Sequence, residues 1–401
     1  MATGRTPVSA DTGAVQLTRR LIDTGRVVRI RVDAGVITEI AATTDDTDQW
    51  VAPGLVDIQV NGYAGHDVNT DDVDAGVIGD LVRTQWAVGV TTVCPTIVTG
   101  PEPRITRALR AVVQARAADP LVQHAIPCVH VEGPHLADAD GPRGAHDAAH
   151  LRPPDLAEFH RWQQAADGLV GIVTLAPEQP GAIEYIAEIS RAGVVAAIGH
   201  TAAEPSDVAA AVDAGARLST HLGNGAHVQL PRHPNYIWEQ LADNRLAASF
   251  IADGHHLPAS VLTVMVRAKG VERSILVSDA TALAGMPPGR YETSVGGSVE
   301  LSADGRLALT GSPMLAGAAR PLVDCVGWAA RHTEIGLSDA VRMATVNPAR
   351  LLGAGPGPAR GTLRVGAAGD VVAFRVDATT GCLTVDTAVV RGVVVHPGRT
   401  A

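Results

Sequence analysis

Disulfide frameworks and thiolate zinc sites both need paired cysteines. This chain of 401 residues has only four, Cys94, Cys128, Cys325 and Cys382, and none forms a C-x-x-C pair. Lysine is almost missing: Lys269 is the single one among 32 basic residues. Basic charge is in deficit overall. A net charge of −10 argues against broad electrostatic binding to nucleic acid or an acidic membrane, while leaving room for a local basic pocket that grips one phosphate. The stretch Met1–Arg20 has no apolar core of the kind a leader carries, and no apolar run approaches the ~18 residues of a membrane span. The expectation is therefore a cytoplasmic chain with neither nucleic acid nor membrane as partner. No internal repeat or low-complexity tract is present.

What is present is core-forming material and punctuation. Hydrophobic residues make up 46% and charged residues 18%, the balance of a globular chain. Forty-two glycines and 25 prolines supply the many tight connections that alternating βα units need. The first fifty residues read as short strands (14–17, 26–32, 36–40), and so do the last fifty (362–365, 370–375, 385–395). Between them, eight apolar runs alternate with helical patterns: 55–60, 90–97, 126–131, 169–175, 194–198, 217–220, 246–251 and 274–277. Eight such runs predict an α/β chain with a (β/α)8 barrel. The reading places the barrel at 54–350 and one discontinuous β-sandwich at 1–53 plus 351–401. Helices are expected at 101–118, 153–166, 205–214 and 258–268, where prolines suit the helix starts.

Polar and ionisable residues recur at the carboxyl ends of the runs: Gln59 and Asn61, Thr96, Glu132, Glu178, His200, His221, Asp253 with His255 and His256, and Asp279. On a barrel, that edge is where active sites lie. Glu132, His200, His221 and Asp279 end the third, fifth, sixth and eighth runs. Two imidazoles and a carboxylate can hold a catalytic metal with an open position, and a second carboxylate can take and return a proton. A single histidine is most often a hydrogen-bonded core or loop residue. Four such residues in strand order fit a site better.

Several motifs in order resemble a known family. The segment Val51-Ala52-Pro53-Gly54-Leu55-Val56-Asp57 is similar to the opening of amidohydrolase-superfamily barrels. His130-Val131-Glu132-Gly133-Pro134-His135-Leu136, Gly199-His200-Thr201, Thr220-His221-Leu222, Ala252-Asp253-Gly254 and Ser278-Asp279-Ala280-Thr281-Ala282 resemble the N-acetylglucosamine-6-phosphate deacetylases within it. So do Ala344-Thr345-Val346-Asn347-Pro348-Ala349 and Gly366-Ala367-Ala368-Gly369-Asp370. The resemblance implies hydrolysis of an N-acetyl amino-sugar phosphate to the free amine and acetate, within amino-sugar catabolism. It implies Glu132, His200 and His221 as metal ligands, Asp279 as general base and acid, and His146 as the group that polarises the acetyl carbonyl. It places Ala145, Asn224, Gly225 and the loop Leu309-Thr310-Gly311 against the sugar or its acetyl group. Arg232 and His256 would hold the 6-phosphate, a task that suits an arginine fork. It further implies a homodimer that can lend a phosphate contact across its interface.

Metal count and substrate can be narrowed from the residues. Many superfamily members carry His-x-His on the first strand. Here Gln59 and Asn61 stand there, both poor zinc ligands, and Lys269 lies in a helical pattern rather than at a strand end. One divalent ion is expected, with zinc favoured and iron, cobalt or manganese able to accept the same donors. The tandem His255-His256 leaves a second site open. The family follows its third ligand with Leu-aromatic-Asn-Ala-Met, whereas this chain reads Leu222-Gly223-Asn224-Gly225-Ala226-His227, a change that bears on the sugar pocket. The competing readings are an amidohydrolase for another N-acyl or cyclic amide, and a barrel that has lost its chemistry.

Overall fold

The structure, a computed structural model, describes residues 14–293, 297–353, 355 and 357–397. The first thirteen residues of the stretch read for a leader, and the last four of the C-terminal module, lie outside those residues.

All eight expected runs form one sheet of parallel strands in sequential order. They are β1 (Leu55–Val60), β2 (Val90–Val98), β3 (Val129–Glu132), β4 (Val170–Leu175), β5 (Val195–Ile198), β6 (Leu218–Ser219), β7 (Ala247–Ile251) and β8 (Ser274–Val277). Helices cover the outside and side chains fill the inside, so the strands are buried on both faces and read as continuous apolar runs. Val56, Ile58, Cys94, Ile172, Ala197, Leu218, Ile251, Ile275 and Val277 pack as one inner cluster. The ring closes just beyond β8. The Asp279 N–H donates to the Gln59 carbonyl at 3.0 Å, and Val60 bridges Ala280 in parallel. Closure at that point carries Asp279 against the end of β1.

The expected helices form at Glu102–Ala118, Leu156–Ala165, Pro205–Ala214 and Ala259–Lys269. Pro205–Ala214 shows why the proline rule works. Proline opens it, and Glu204 and Asp207 cap it reciprocally. The helix Ala75–Ala87, capped by Asp74, had no proline to mark it, and the helix Ala182–Arg191 starts after Pro180-Gly181.

The terminal segments meet in one seven-stranded sheet, whose order across the sheet is 393–396, 383–390, 371–376, 50–53, 15–21, 27–33 and 36–42. The sheet curls over Leu17, Val28, Ile30, Val32, Ile37, Val51, Ala367, Val371 and Val389, so its two ends face each other as a small sandwich. Val36 bridges Ala368 across that gap. Two strand expectations need correction here. Residues 362–365 are not a strand, because Gly361 and Gly366, both at positive φ, turn the chain on either side of them. The run 385–395 is two strands, broken at Arg391-Gly392, where both residues have the positive φ of a tight hairpin turn. A further three-stranded antiparallel sheet, Gly289–Thr293, Gly297–Leu301 and Leu307–Leu309, rises beside the barrel mouth and was not anticipated.

Candidate active site and metal centre

Three of the four strand-end residues sit in the left-handed region. His200 has φ 50°, His221 φ 28° and Asp279 φ 48°. Non-glycine residues rarely adopt that conformation, and it costs about 1–3 kcal/mol at each position. The surrounding backbone holds each one there. The His200 carbonyl accepts from Ala137 N–H at 3.0 Å, His221 N–H donates to Ser249 Oγ at 2.7 Å, and Asp279 N–H donates to Gln59. Strand ends thus turn three functional side chains into the mouth at the expense of local strain.

Glu132, the last residue of β3, is where they converge. Its Oε1 lies 3.1 Å from His200 Nε2 and 2.9 Å from His221 Nε2, and the two nitrogens are 3.2 Å apart. All three residues are buried. His200 Nδ1 donates to the Pro142 carbonyl at 2.8 Å, which leaves Nε2 of the neutral ring as a lone pair. His221 Nδ1 has no partner among the described residues. Lone pairs aimed at one point fit a cation, and this is the one such His/Asp/Glu/Cys cluster among the described residues. Burial opposes the charge on Glu132, but the His200 and His221 imidazoles, which in their charged form donate to Oε1, hold its carboxyl well below the usual range. Burial likewise works against the His221 charge, and Glu132 outweighs it, raising that imidazole.

Asp279, partly buried beside the fully buried Glu132, differs from it. Burial, and then the Glu132 charge, push it up to about 6. Asn61 Nδ2 donates to its Oδ1 at 2.8 Å. Such a value suits a group that must both take and give a proton near neutrality. His146 stands on the other side. Its Nδ1 meets Thr99 Oγ1 at 2.9 Å, its Nε2 lies 3.3 Å from His200 Nε2, and burial pushes it down to about 3, so the ring is neutral. Gly144 and Gly225 flank His200. A Cβ on Gly225 would come within 2.5 Å of His200 Nδ1, and one on Gly144 within 3.2 Å of its Cε1.

Above this floor is a cavity of about 360 Å³, ample for a sugar phosphate. Glu132, His200, His221, Asp279, His146, Ala145, Asn224, Gly225 and His256 all line it. His256 is oriented by Asp253, whose Oδ2 meets its Nδ1 at 2.7 Å, leaving Nε2 for the cavity. The neighbouring His255 contacts the Asp304 carbonyl instead and adds no ligand to the cluster. Lys269 is buried in its helix and donates to the Gln240 and Asp243 carbonyls, at 2.6 and 2.8 Å.

Two sets of the expected contact residues lie off the cavity lining. Leu309, Thr310 and Gly311 do not line the cavity. The Leu309 N–H donates to the Met314 carbonyl, which closes a turn with Thr310 and Gly311 exposed at its tip. The returning chain, Met314 to Gly317, together with Leu307, forms that wall instead. Arg232 is also absent from the lining, because it sits on the exposed stretch 231–234 beyond the rim. Thr96, taken as a strand-end residue, braces β1 by accepting Val60 N–H at 3.0 Å, and Thr99 takes its place beside His146. Glu178 accepts from Thr201 Oγ1 and Ala202 N–H, pinning the loop after His200. Asp67, Asn69 and Thr293 line the cavity with no signal in the sequence.

The amidohydrolase family model matches residues 50–395. The chain is 33% identical over 352 residues to N-acetylgalactosamine-6-phosphate deacetylase of Escherichia coli O157:H7, which covers 86% of this chain and 90% of the relative. It is 33% identical over 333 residues to N-acetylglucosamine-6-phosphate deacetylase of Homo sapiens, covering 80% and 78% respectively. Its structure superposes with a TM-score of 0.82 on a variant of N-acetyl-D-glucosamine-6-phosphate deacetylase from Mycobacterium smegmatis in complex with N-acetyl-D-glucosamine-6-phosphate. That match has 30% identity and covers 95% of this chain and 99% of the other.

Proposed function

This chain belongs to the amidohydrolase family, and on that premise we propose that it hydrolyses the N-acetyl group of N-acetylglucosamine 6-phosphate, giving glucosamine 6-phosphate and acetate. The observation that carries the reading is the convergence of Glu132, His200 and His221, with Asp279 tuned to about 6 beside them. A galactosamine epimer is the second reading, favoured by the likeness to the E. coli enzyme.

Glu132, His200 and His221 would hold one divalent cation, zinc by our reading of the donors. When bound, it supplies a Lewis acid and a water that loses its proton near neutral pH. The remaining roles fall to the chain itself. Asp279 accepts the proton of the attacking water and returns it to the departing amine nitrogen. His146 faces the acetyl carbonyl through Nε2–H, with Thr99 donating to Nδ1. Gly144, Gly225 and the Pro142 carbonyl keep the His200 ring in one plane. His256, oriented by Asp253, contacts the phosphate. Arg232, too far out to line its own cavity, is assigned to the phosphate of a neighbouring copy in a homodimer. Residues 54–350 carry the chemistry in this reading, while 1–53 with 351–401 form a supporting module. The four cysteines are free thiols, in keeping with a cytoplasmic setting.

The test is a panel of N-acetylated sugars, with and without a 6-phosphate, assayed for acetate release by the zinc-loaded protein. Turnover confined to phosphorylated N-acetylhexosamines is expected. Turnover of unphosphorylated acyl or cyclic amides alone would replace this substrate class with another.

A further inference from the structure

Gln59 lies at the end of β1, and Asn61 follows two residues later, just past the strand. Each donates to one of the two carboxylates of the site. Gln59 Nε2 donates to Glu132 Oε2 at 3.1 Å, and Asn61 Nδ2 donates to Asp279 Oδ1. The bond to Glu132 divides the work of its two oxygens. Oε1 faces both imidazoles, while Oε2 is held on the far side by a buried amide. Gln59 is fixed in turn by its own backbone, whose carbonyl accepts from Asp279 N–H and whose N–H donates to Asp57 Oδ1 at 3.3 Å.

A carboxylate free at both oxygens can rotate and offer either one, or both, to a cation. An amide donor on Oε2 removes that freedom, and being neutral it adds no charge that would compete for the site. We infer that Gln59 is a positioning residue that makes Glu132 a one-oxygen ligand, with Oε1 toward the cation and Oε2 held back. This rests on the metal reading above. Substitution of Gln59 would leave a buried oxygen without its donor and let the ligand turn.

The experiment uses the full chain, stripped of metal and titrated with zinc alone against a chromophoric chelator, with the metal-free melting curve as a check on folding. Gln59→Met keeps the length and loses the donor. Its zinc affinity should fall by about 10- to 100-fold, the range usual for a lost partner of a metal ligand. Gln59→Leu serves the same reading if the first variant fails to fold. Asn61→Leu touches Asp279 rather than Glu132, and should bind zinc within about threefold of the wild type while losing kcat. A folded Gln59→Met that binds zinc like the wild type, when His200→Ala does not, overturns this inference alone. If His200→Ala also binds zinc normally, the metal reading beneath it fails.

Discussion

The floor and the rim of the barrel mouth are built on different terms. On the floor, Glu132, His200 and His221 are buried and Asp279 is partly buried at strand ends, and three of the four are held in a strained backbone conformation by bonds to neighbouring strands and the loop after β3. On the rim, the stretch 228–234 and the turn at 310–311 are largely exposed, and Val228 is 97% exposed. Position on the floor follows from the register of a parallel sheet, whereas position on the rim depends on loops the sheet does not fix. The comparison teaches that the chemistry belongs to the scaffold and the substrate preference to its edges.

The strongest way to break that division is at the floor. His200→Ala should lose bound metal and acetate release together, leaving only background turnover. Metal analysis and kinetics on one preparation check it, and full metal occupancy would break the assignment. A rim substitution should behave otherwise. Arg232→Ala should keep its metal and raise KM for the phosphorylated sugar by about 10- to 150-fold, the worth of a charge-assisted contact of about 1.5–3 kcal/mol. The unphosphorylated analogue should be unaffected. Equal losses on both substrates would remove Arg232 from phosphate binding.

The smallest effects sharpen the contrast with a pair of glycines. Both have positive φ, Gly225 at 56° and Gly311 at 76°. Alanine at either position costs about 1–2 kcal/mol in backbone strain. At Gly225 the new Cβ also meets His200 Nδ1 at 2.5 Å, whereas nothing lies within 4 Å at Gly311. Denaturant midpoints should therefore fall for both variants, but zinc affinity only for Gly225→Ala.

The same division decided what could be read from the sequence. Continuous apolar runs marked the eight strands, because burial on both faces leaves an unmistakable pattern, and the runs ending in Glu132, His200 and His221 marked the cluster. Gln59 and Asn61 were visible only as poor ligands. Their bonds to Glu132 and Asp279 join β1 to β3 and to the end of β8, and no local pattern reports a contact across a barrel. The loop Leu309-Thr310-Gly311 lies off the lining, which Leu307 and Met314 to Gly317 take instead, since a short antiparallel sheet and its turn set which residues face inward. The run 362–365 looked like a strand because Thr362-Leu363-Arg364-Val365 alternates polar and apolar residues, but glycine turns on both sides leave it no partner strand.

The central claim is that Asp279 moves the proton while Glu132, His200 and His221 hold the cation. It is tested most directly by Asp279→Asn, with zinc content, melting temperature and the pH profile of acetate release measured on one preparation. In the wild type, activity should fall as pH drops through about 6, where Asp279 takes up its proton, or lower where a bound cation favours the carboxylate. The variant should keep zinc and stability, lose kcat by about 10²–10⁴-fold and lose that acid limb. A stable, zinc-replete Asp279→Asn protein with near-normal turnover and an unchanged acid limb would contradict the account.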